Sequence, residues 1–481
     1  MRRPGMLIGG TLRPASDGGV LETPNPSTGQ VLAAIPEATA ADVDDAVAAA
    51  GAAFPQWRRA APAVRSEALT TLAEIVERHA DELARLDADD NGSLLREMRR
   101  DVDTAVFALR YYAGLVLQLH GDTVPSEPGT LTYSLRRPYG VVGRLIPFNH
   151  PLMFAASKIA APLAAGNAVV IKPSEHTSLS ALRLGELAAD VLPPGVLNIV
   201  TGTGAGSGDA LVAHPDVRRL AFTGSAATGR AIQRRAAEVG VKTVTLELGG
   251  KNPLVVFPDA DLDTAVAASV RGMNFTWQGQ SCGSLSRVVV HRDIHAAFVE
   301  RLVQTVSALR PGLPDDPEAD TGAIVNAGQM EKVLGYVRLG QDEGARLCTG
   351  GDRVTDGALA DGLFVRPAVF DGVDPRSRLA QEEIFGPVLA VMPFADADEA
   401  LEIANGTPLG LTASVFTRDL ATAHRFAEDL EAGYVWVNEV GRHVPGTPFG
   451  GVKDSGIGRE EDLDELFSYT QLKNVHINYG R

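Results

Sequence analysis

The stretch GQSCGS, Gly279 to Ser284, sets one of the chain's two cysteines among glycines and serines. A packing cysteine is a small buried hydrophobe that suits apolar neighbours, and Cys282 has none within two residues. A free thiol of pKa ~8.5 is only a few per cent thiolate at neutral pH, yet that fraction is a strong nucleophile where the site is open and assisted. The flanking glycines allow a ligand to approach the backbone closely. The competing assignment is an inert loop thiol. Cys348, in ARLCTGG, precedes a turn and reads as packing.

A second reactive group stands in ELGGKNP, where Glu247 lies between apolar residues just before a double glycine. Burial there raises a carboxyl pKa and makes a usable general base; the alternative is a strand-end carboxylate paired with a lysine. FTGSAATGRA has Gly224 and Gly229 spaced as in a phosphate loop, but Arg230 and Ala231 replace the lysine and the magnesium-binding hydroxyl. What remains is a strand, a glycine turn and a helix start with Ser225, able to hold a pyrophosphate on free N–H groups without metal, or simply a plain turn. TGTGAGSG matches no dinucleotide fingerprint and reads as a flexible turn. In KPSE, Lys172 and Glu175 close an apolar strand, positioned either for a ribose diol or for a surface ion pair.

These groups need elements to hold them. Residues 37 to 118 space their apolar positions at three and four, which predicts helices, with Thr39 and Ser66 as N-caps. Between 141 and 247, strand-like runs (VVGRLIP, NAVVIKP, VLNIVTG, RRLAFTG, KTVTLEL) alternate with helical ones, the pattern of a parallel sheet with a nucleotide-sized crevice at its strand ends. A second α/β set is expected from 252 to about 440. The tail FSYTQLKNVHINYG reads as a strand without a nearby partner, hence with a long-range or intermolecular one.

At 481 residues the chain exceeds a single core and predicts two or more domains. Its net charge of -16, with scattered basic residues, argues against a nucleic-acid or anionic-membrane surface. No apolar run is long enough to span a membrane, and the N-terminal one is too short for a secretory signal. Two cysteines without a Cys/His cluster suit neither a disulfide framework nor zinc, so a soluble protein of the reducing cytoplasm, without a metal, is expected.

In order along the chain, NPSTG, IPFNHPL, KPSE, FTGS, ELGGKNP, GQSC, EEIFGPV, PFGGVKDSG and YTQLK resemble the aldehyde dehydrogenase superfamily over nearly its whole length. The resemblance implies Cys282 as the nucleophile that forms a thiohemiacetal and Asn149 as the amide that joins the Cys282 N–H in an oxyanion hole. It implies Glu247 as the base that hydrolyses the thioester, a residue the CoA-acylating branch typically lacks. For the cofactor it implies Ile146, Pro147, Phe148, Lys172, Glu175, Gly224, Ser225, Leu248, Glu383 and Phe385. A carboxylate at Glu175 accepts from a 2'-hydroxyl and repels a 2'-phosphate, which favours NAD over NADP.

By the same analogy His150, Phe154, Trp277, Ser281, Gly283 and Phe449 line the aldehyde's route, and the aromatic set suits a bulky or aromatic aldehyde. Phe148 departs from the family's usual tryptophan, and His150 from its aromatic or apolar residue. His150 then either fills an aromatic slot, binds a polar substrate group or relays a proton. Arg442 and His443 lie in a loop able to reach the mouth.

The implied architecture is a Rossmann-type NAD-binding domain (1–120 and 141–249), an α/β catalytic domain (250–450) and a small β flap (121–140 and 451–481). The flap would pair with a second copy in a homodimer or homotetramer. The expected function is NAD-dependent oxidation of a small-molecule aldehyde to a carboxylate. The alternatives are acyl transfer to CoA on the same fold, and a catalytically silent NAD-binding structural protein.

Overall fold

The computed structural model describes residues 3–480. The strands Val141–Leu145, Ala168–Lys172 and Pro253–Val256 are buried along their whole length, as strands covered by helices on both faces must be. In the first sheet five parallel strands lie in the order Leu197–Ile199, Ala168–Lys172, Val141–Leu145, Val217–Thr223, Thr243–Glu247. The order reverses between Val141–Leu145 and Val217–Thr223. A crevice opens beyond the carboxyl ends of strands at such a reversal, and the residues that follow these two strands are Ile146 to Asn149 and Gly224 to Ser225.

The second sheet runs Arg346–Thr349, Ala368–Asp371, Val388–Phe394, Arg287–His291, Pro253–Val256, Thr412–Phe416, Tyr434–Val437, parallel except for the first pair. The tail strand Thr470–Asn478 finds its partner within the chain, pairing antiparallel with the sequence-distant strand Thr130–Pro138. Two short strands in the region expected to belong to the flap pair elsewhere. Gly456–Ile457 extends the first sheet beside Thr243–Glu247, and Val452–Lys453 pairs with Leu409–Gly410. The C-terminal segment thus forms a separate two-stranded sheet and then joins the edge of the first sheet before it reaches the three-stranded one. Among the described residues no helix is long and apolar enough to cross a membrane.

Thr39 caps the helix Ala40–Trp57 in a capping box with Asp42, as its position predicts. Ser66 does not cap. The helix starts earlier, at Pro62, because proline has no N–H to lose in a first turn and its φ suits one. Ser66 instead donates its hydroxyl to Ala113 O at 2.8 Å, tying this helix to Leu95–Leu115. TGTGAGSG forms one π-helical turn, Gly204–Gly208, leading into Asp209–Ala213.

A buried ionic group sits at the core of the first sheet. Glu460 accepts from Arg144 Nη2 at 2.6 Å and from Lys158 Nζ at 2.6 Å. Arg144 also donates to the Tyr469 hydroxyl at 3.1 Å. Burial alone would push the Glu460 carboxyl up, but the two cations outweigh it and hold its pKa down at about 2.

Replacing Glu460 by leucine leaves two buried cations without a counterion and is expected to cost about 3–5 kcal/mol in denaturant unfolding. Because folding depresses this pKa from 4.5 to about 2, the wild-type advantage is complete above pH 4.5 and fades as pH falls through about 2. A difference that is small at neutral pH, or that grows on acidification, contradicts this.

Candidate active site

Cys282 stands on a loop shaped by backbone that few residues adopt. Asn274 and Gln278 take left-handed φ of 56° and 55° around the single turn Phe275–Trp277. Gly279 follows at φ 66°, where a Cβ would lie 2.3 Å from Gly386 O, so only glycine fits. Past this bend Asn252 holds the loop from behind. Its side-chain amide donates to Cys282 O at 2.7 Å and Ser284 O at 2.9 Å, while its Oδ1 accepts from Thr412 N at 3.0 Å. Cys282 is half-buried rather than open. Burial first, then the Glu383, Glu247 and Glu461 carboxylates, push its thiol up to about 12, against the pull of Lys158. The free-thiol value expected from the sequence therefore does not apply in the folded chain.

Glu247 ends the strand Thr243–Glu247 and is buried, and among the described residues neither of its carboxylate oxygens has a hydrogen-bond partner. The expected alternative, pairing with a lysine, is not what the chain does. Burial drives its pKa well above the ordinary carboxylate value, and the charge on Glu460 adds to that, opposed by Lys158, Arg459 and Arg144. Asn149 is also buried, fixed through its carbonyl, which accepts from Asn91 Nδ2 at 3.3 Å. Among the described residues neither the Asn149 side-chain amide nor the Cys282 N–H has an acceptor. Two unsatisfied donors and one unsatisfied carboxyl suit a reaction that develops negative charge on oxygen and then activates water.

The residues expected around a dinucleotide lie at the crevice of the first sheet. Lys172, buried at its strand end, donates to Glu175 Oε2 at 3.1 Å. Glu175 precedes the helix Leu179–Ala188 in a turn, so it lies outside any first helical turn. The N–H of Gly224 is already used, donating to Glu247 O at 3.0 Å, and the Ser225 hydroxyl caps the helix Ala226–Val239 by accepting from Thr228 N. The open donors of that turn are the first N–H groups of the helix, beginning at Ala226. Leu248 is buried against Gly229, and its N–H donates to Ser455 O at 2.9 Å.

Phe148 meets Phe385 edge to face at 5.5 Å. Phe385 itself holds a left-handed φ of 59°. Glu383 accepts from Gly250 N at 3.0 Å, and a Cβ on Gly249 would lie 2.1 Å from its Oε2. The bare backbone at Gly249 thus cradles this carboxylate. Gly250, Gly279, Ser281, Glu383 and Phe385 line one small cleft that joins the cysteine loop to this segment. The uncapped first N–H groups of a helix, a Lys–Glu pair at a strand end and a cradled carboxylate form a donor and acceptor set that fits a dinucleotide's phosphates and riboses.

Of the expected passage residues, His150, Phe154 and Trp277 meet: His150 lies 5.6 Å from Phe154 and 5.5 Å from Trp277, ring to ring. Ser281 and Gly283 flank Cys282, half-buried. Phe449 joins a different ring group, with His443 at 4.8 Å and Tyr434 at 6.1 Å. Its backbone pairs with Glu460, which brings the mouth loop to the ionic group. His443 bonds Glu461 at 2.9 Å; Arg442 is exposed, and its carbonyl accepts from Trp436 Nε1 at 2.8 Å.

Sequence reasoning missed Asn252, Lys158 and Glu460. Asn252 sits inside the ELGGKNP motif that drew attention to Glu247, and an amide between a lysine and a proline just after the double glycine was the available signal.

A model of the aldehyde dehydrogenase family matches residues 13–475. Aldehyde dehydrogenase tropH of Talaromyces stipitatus is 47% identical over 466 residues, covering 95% of this chain and 90% of that protein. The NAD+ complex structure of aldehyde dehydrogenase from Bacillus cereus is 40% identical, superposes with a TM-score of 0.96 and shares 99% of this chain and 97% of that one. Betaine aldehyde dehydrogenase from Staphylococcus aureus, solved with NAD+, is 34% identical with a TM-score of 0.97 over 99% and 95% of the two chains.

If the Glu247 carboxylate raises the Cys282 pKa, Glu247→Gln lowers it. The pH profile of iodoacetamide alkylation is expected to shift downward in that variant, by about one unit or less. An unchanged or upward midpoint contradicts the coupling.

Proposed function

This chain belongs to the aldehyde dehydrogenase family and catalyses the NAD-dependent oxidation of an aldehyde, and we propose that Cys282, Asn149 and Glu247 carry the chemistry to a free carboxylate. The observation that supports this reading best is a buried carboxyl without a single hydrogen bond, close enough to Cys282 for its charge to raise the thiol's pKa.

The Cys282 thiol gives its proton to water, its sulfur adds to the aldehyde carbon, and the carbonyl π pair moves onto oxygen. The Asn149 amide and the Cys282 N–H donate to that alkoxide, a pair of fixed dipoles, the first on a buried residue and the second on a half-buried one. When bound, NAD supplies the acceptor for the hydrogen and electron pair that leave the carbon as the alkoxide collapses. The resulting thioester keeps its acyl group on Cys282. Glu247, on ionising, takes a proton from water. The water oxygen bonds to the acyl carbon, the C–S bond breaks, and carboxylate and thiol are released. Asn252 keeps Cys282 in place through these steps, because it holds the loop by carbonyls on both sides of Gly283.

In the same reading the first sheet serves the dinucleotide. Glu175, 3.1 Å from Lys172, takes a ribose hydroxyl and disfavours a 2'-phosphate. Glu383 and Phe385 would hold the other ribose. The three-stranded sheet leaves Leu131, Leu472 and Ile477 exposed and ends in open strand edges, which suits assembly with a second copy into a homodimer or homotetramer. Two free thiols suit a cytoplasmic location.

Cys282→Ala is expected to lower aldehyde-dependent NADH formation by more than about 10⁴-fold. Glu247→Gln is expected to lower steady-state turnover by about 10²–10⁴-fold and to accumulate an acyl adduct on Cys282 visible in the intact mass. Because the Glu247 pKa is raised, wild-type turnover limited by hydrolysis climbs with pH through a limb well above 4.5 that the variant lacks. An unaltered rate in Glu247→Gln, or turnover that requires CoA, overturns the hydrolytic reading.

A further inference from the structure

His150 differs from a residue that merely fills an aromatic slot. Its Nδ1 lies 2.8 Å from Asp101 Oδ2, and Asp101 is itself buried on the helix Leu95–Leu115. A slot-filling ring needs no carboxylate behind it, and a buried carboxylate is costly unless it is bonded. Among the described residues His150 is the hydrogen-bond partner of this carboxylate. The pair is therefore a unit assembled from residues 49 positions apart.

The pairing fixes the ring's proton. A carboxylate can only accept, so Nδ1 carries the hydrogen, and in the neutral ring Nε2 is left with its lone pair. Among the described residues Nε2 has no hydrogen-bond partner, and the side chain keeps 14% of its surface exposed. Around it stand Phe154, perpendicular, and Trp277, tilted by 50°. The Trp277 Nε1 donor on the same wall is also without an acceptor. One unpaired acceptor among aromatic rings, one residue beyond the proposed oxyanion donor Asn149, selects for a donor on the substrate.

We propose that His150, held by Asp101, determines specificity by accepting a hydrogen bond from a hydroxyl group on the substrate, so that hydroxylated ring aldehydes are preferred. This rests on the aldehyde-oxidising reading above and names its substrate class. Asp101 is a positioning residue that acts through the imidazole. A substrate with an ether or hydrogen in place of the hydroxyl leaves Nε2 desolvated and unpaired, and a site built to bond a hydroxyl rejects such analogues strongly.

The test compares kcat/KM with NAD for benzaldehyde, its 2-, 3- and 4-hydroxy isomers and the matching methoxy compounds, which keep the oxygen and lose the donor. In the wild type at least one hydroxy isomer is expected to exceed its methoxy partner by about 10- to 100-fold, mostly through KM. His150→Phe abolishes that preference, His150→Gln keeps part of it because the amide oxygen still accepts, and Asp101→Asn weakens it by freeing the tautomer.

A wild type that treats hydroxy and methoxy partners alike, or that oxidises aliphatic aldehydes and no ring aldehyde, overturns the proposal whether or not the variants fold. So does a preference that survives in both His150 variants. A wild type inactive with NAD towards every aldehyde overturns the underlying activity reading instead.

Discussion

The pairing of Glu460 with Arg144 and Lys158 sets the electrostatics of everything around it. It ties the central strand Val141–Leu145, the helix Pro151–Ala164 and the C-terminal segment into one buried group, with both contacts at 2.6 Å. Because Glu460 takes both cations, Glu247 is left to burial. The two glutamates are pushed in opposite directions, one held down to about 2 and the other well above its ordinary value. Environments that drive like groups apart in this way assign them different tasks, one structural and ionised, the other held above the ordinary carboxylate range so that it can serve as a base.

Cys282 is shaped by the same field. Burial first, and then the surrounding carboxylates, hold it as a thiol in the ligand-free chain, its pKa pushed up to about 12, so its reactivity depends on what enters the site. A protonated Glu247 removes one of the repelling charges. A neutral thiol is slow to oxidise or alkylate, which protects a half-buried nucleophile between turnovers. The cost of this arrangement falls on the backbone, where Asn274 and Gln278 sit in left-handed conformations and Asn252 clamps the loop.

What was legible in the sequence was local. Thr39 with Asp42, and the strand, turn and helix around Ser225, are decided within a few residues and are where the spacing places them. Ser66 was misread because a nearby proline starts the helix first. The free N–H expected at Gly224 is taken by the neighbouring strand, a contact that no local pattern records. Arg144 and Glu460 lie 316 residues apart, and neither sequence neighbourhood hints at the other. The motifs identified Glu247, whereas the reason its carboxyl is unpaired lies in those distant partners.

Infrared difference spectroscopy of the ligand-free protein, wild type minus Glu247→Gln, tests this account most directly. Subtraction isolates Glu247 from other buried carboxyls such as Asp90 and Glu465, whose pKa values burial also raises. The account predicts a protonated-carboxyl C=O band that persists well above pH 4.5, where an ordinary glutamate has ionised, and that disappears only at higher pH. A difference spectrum showing an ionised carboxylate down to pH 4.5 would mean that Glu247 has a partner after all, and would contradict the central claim.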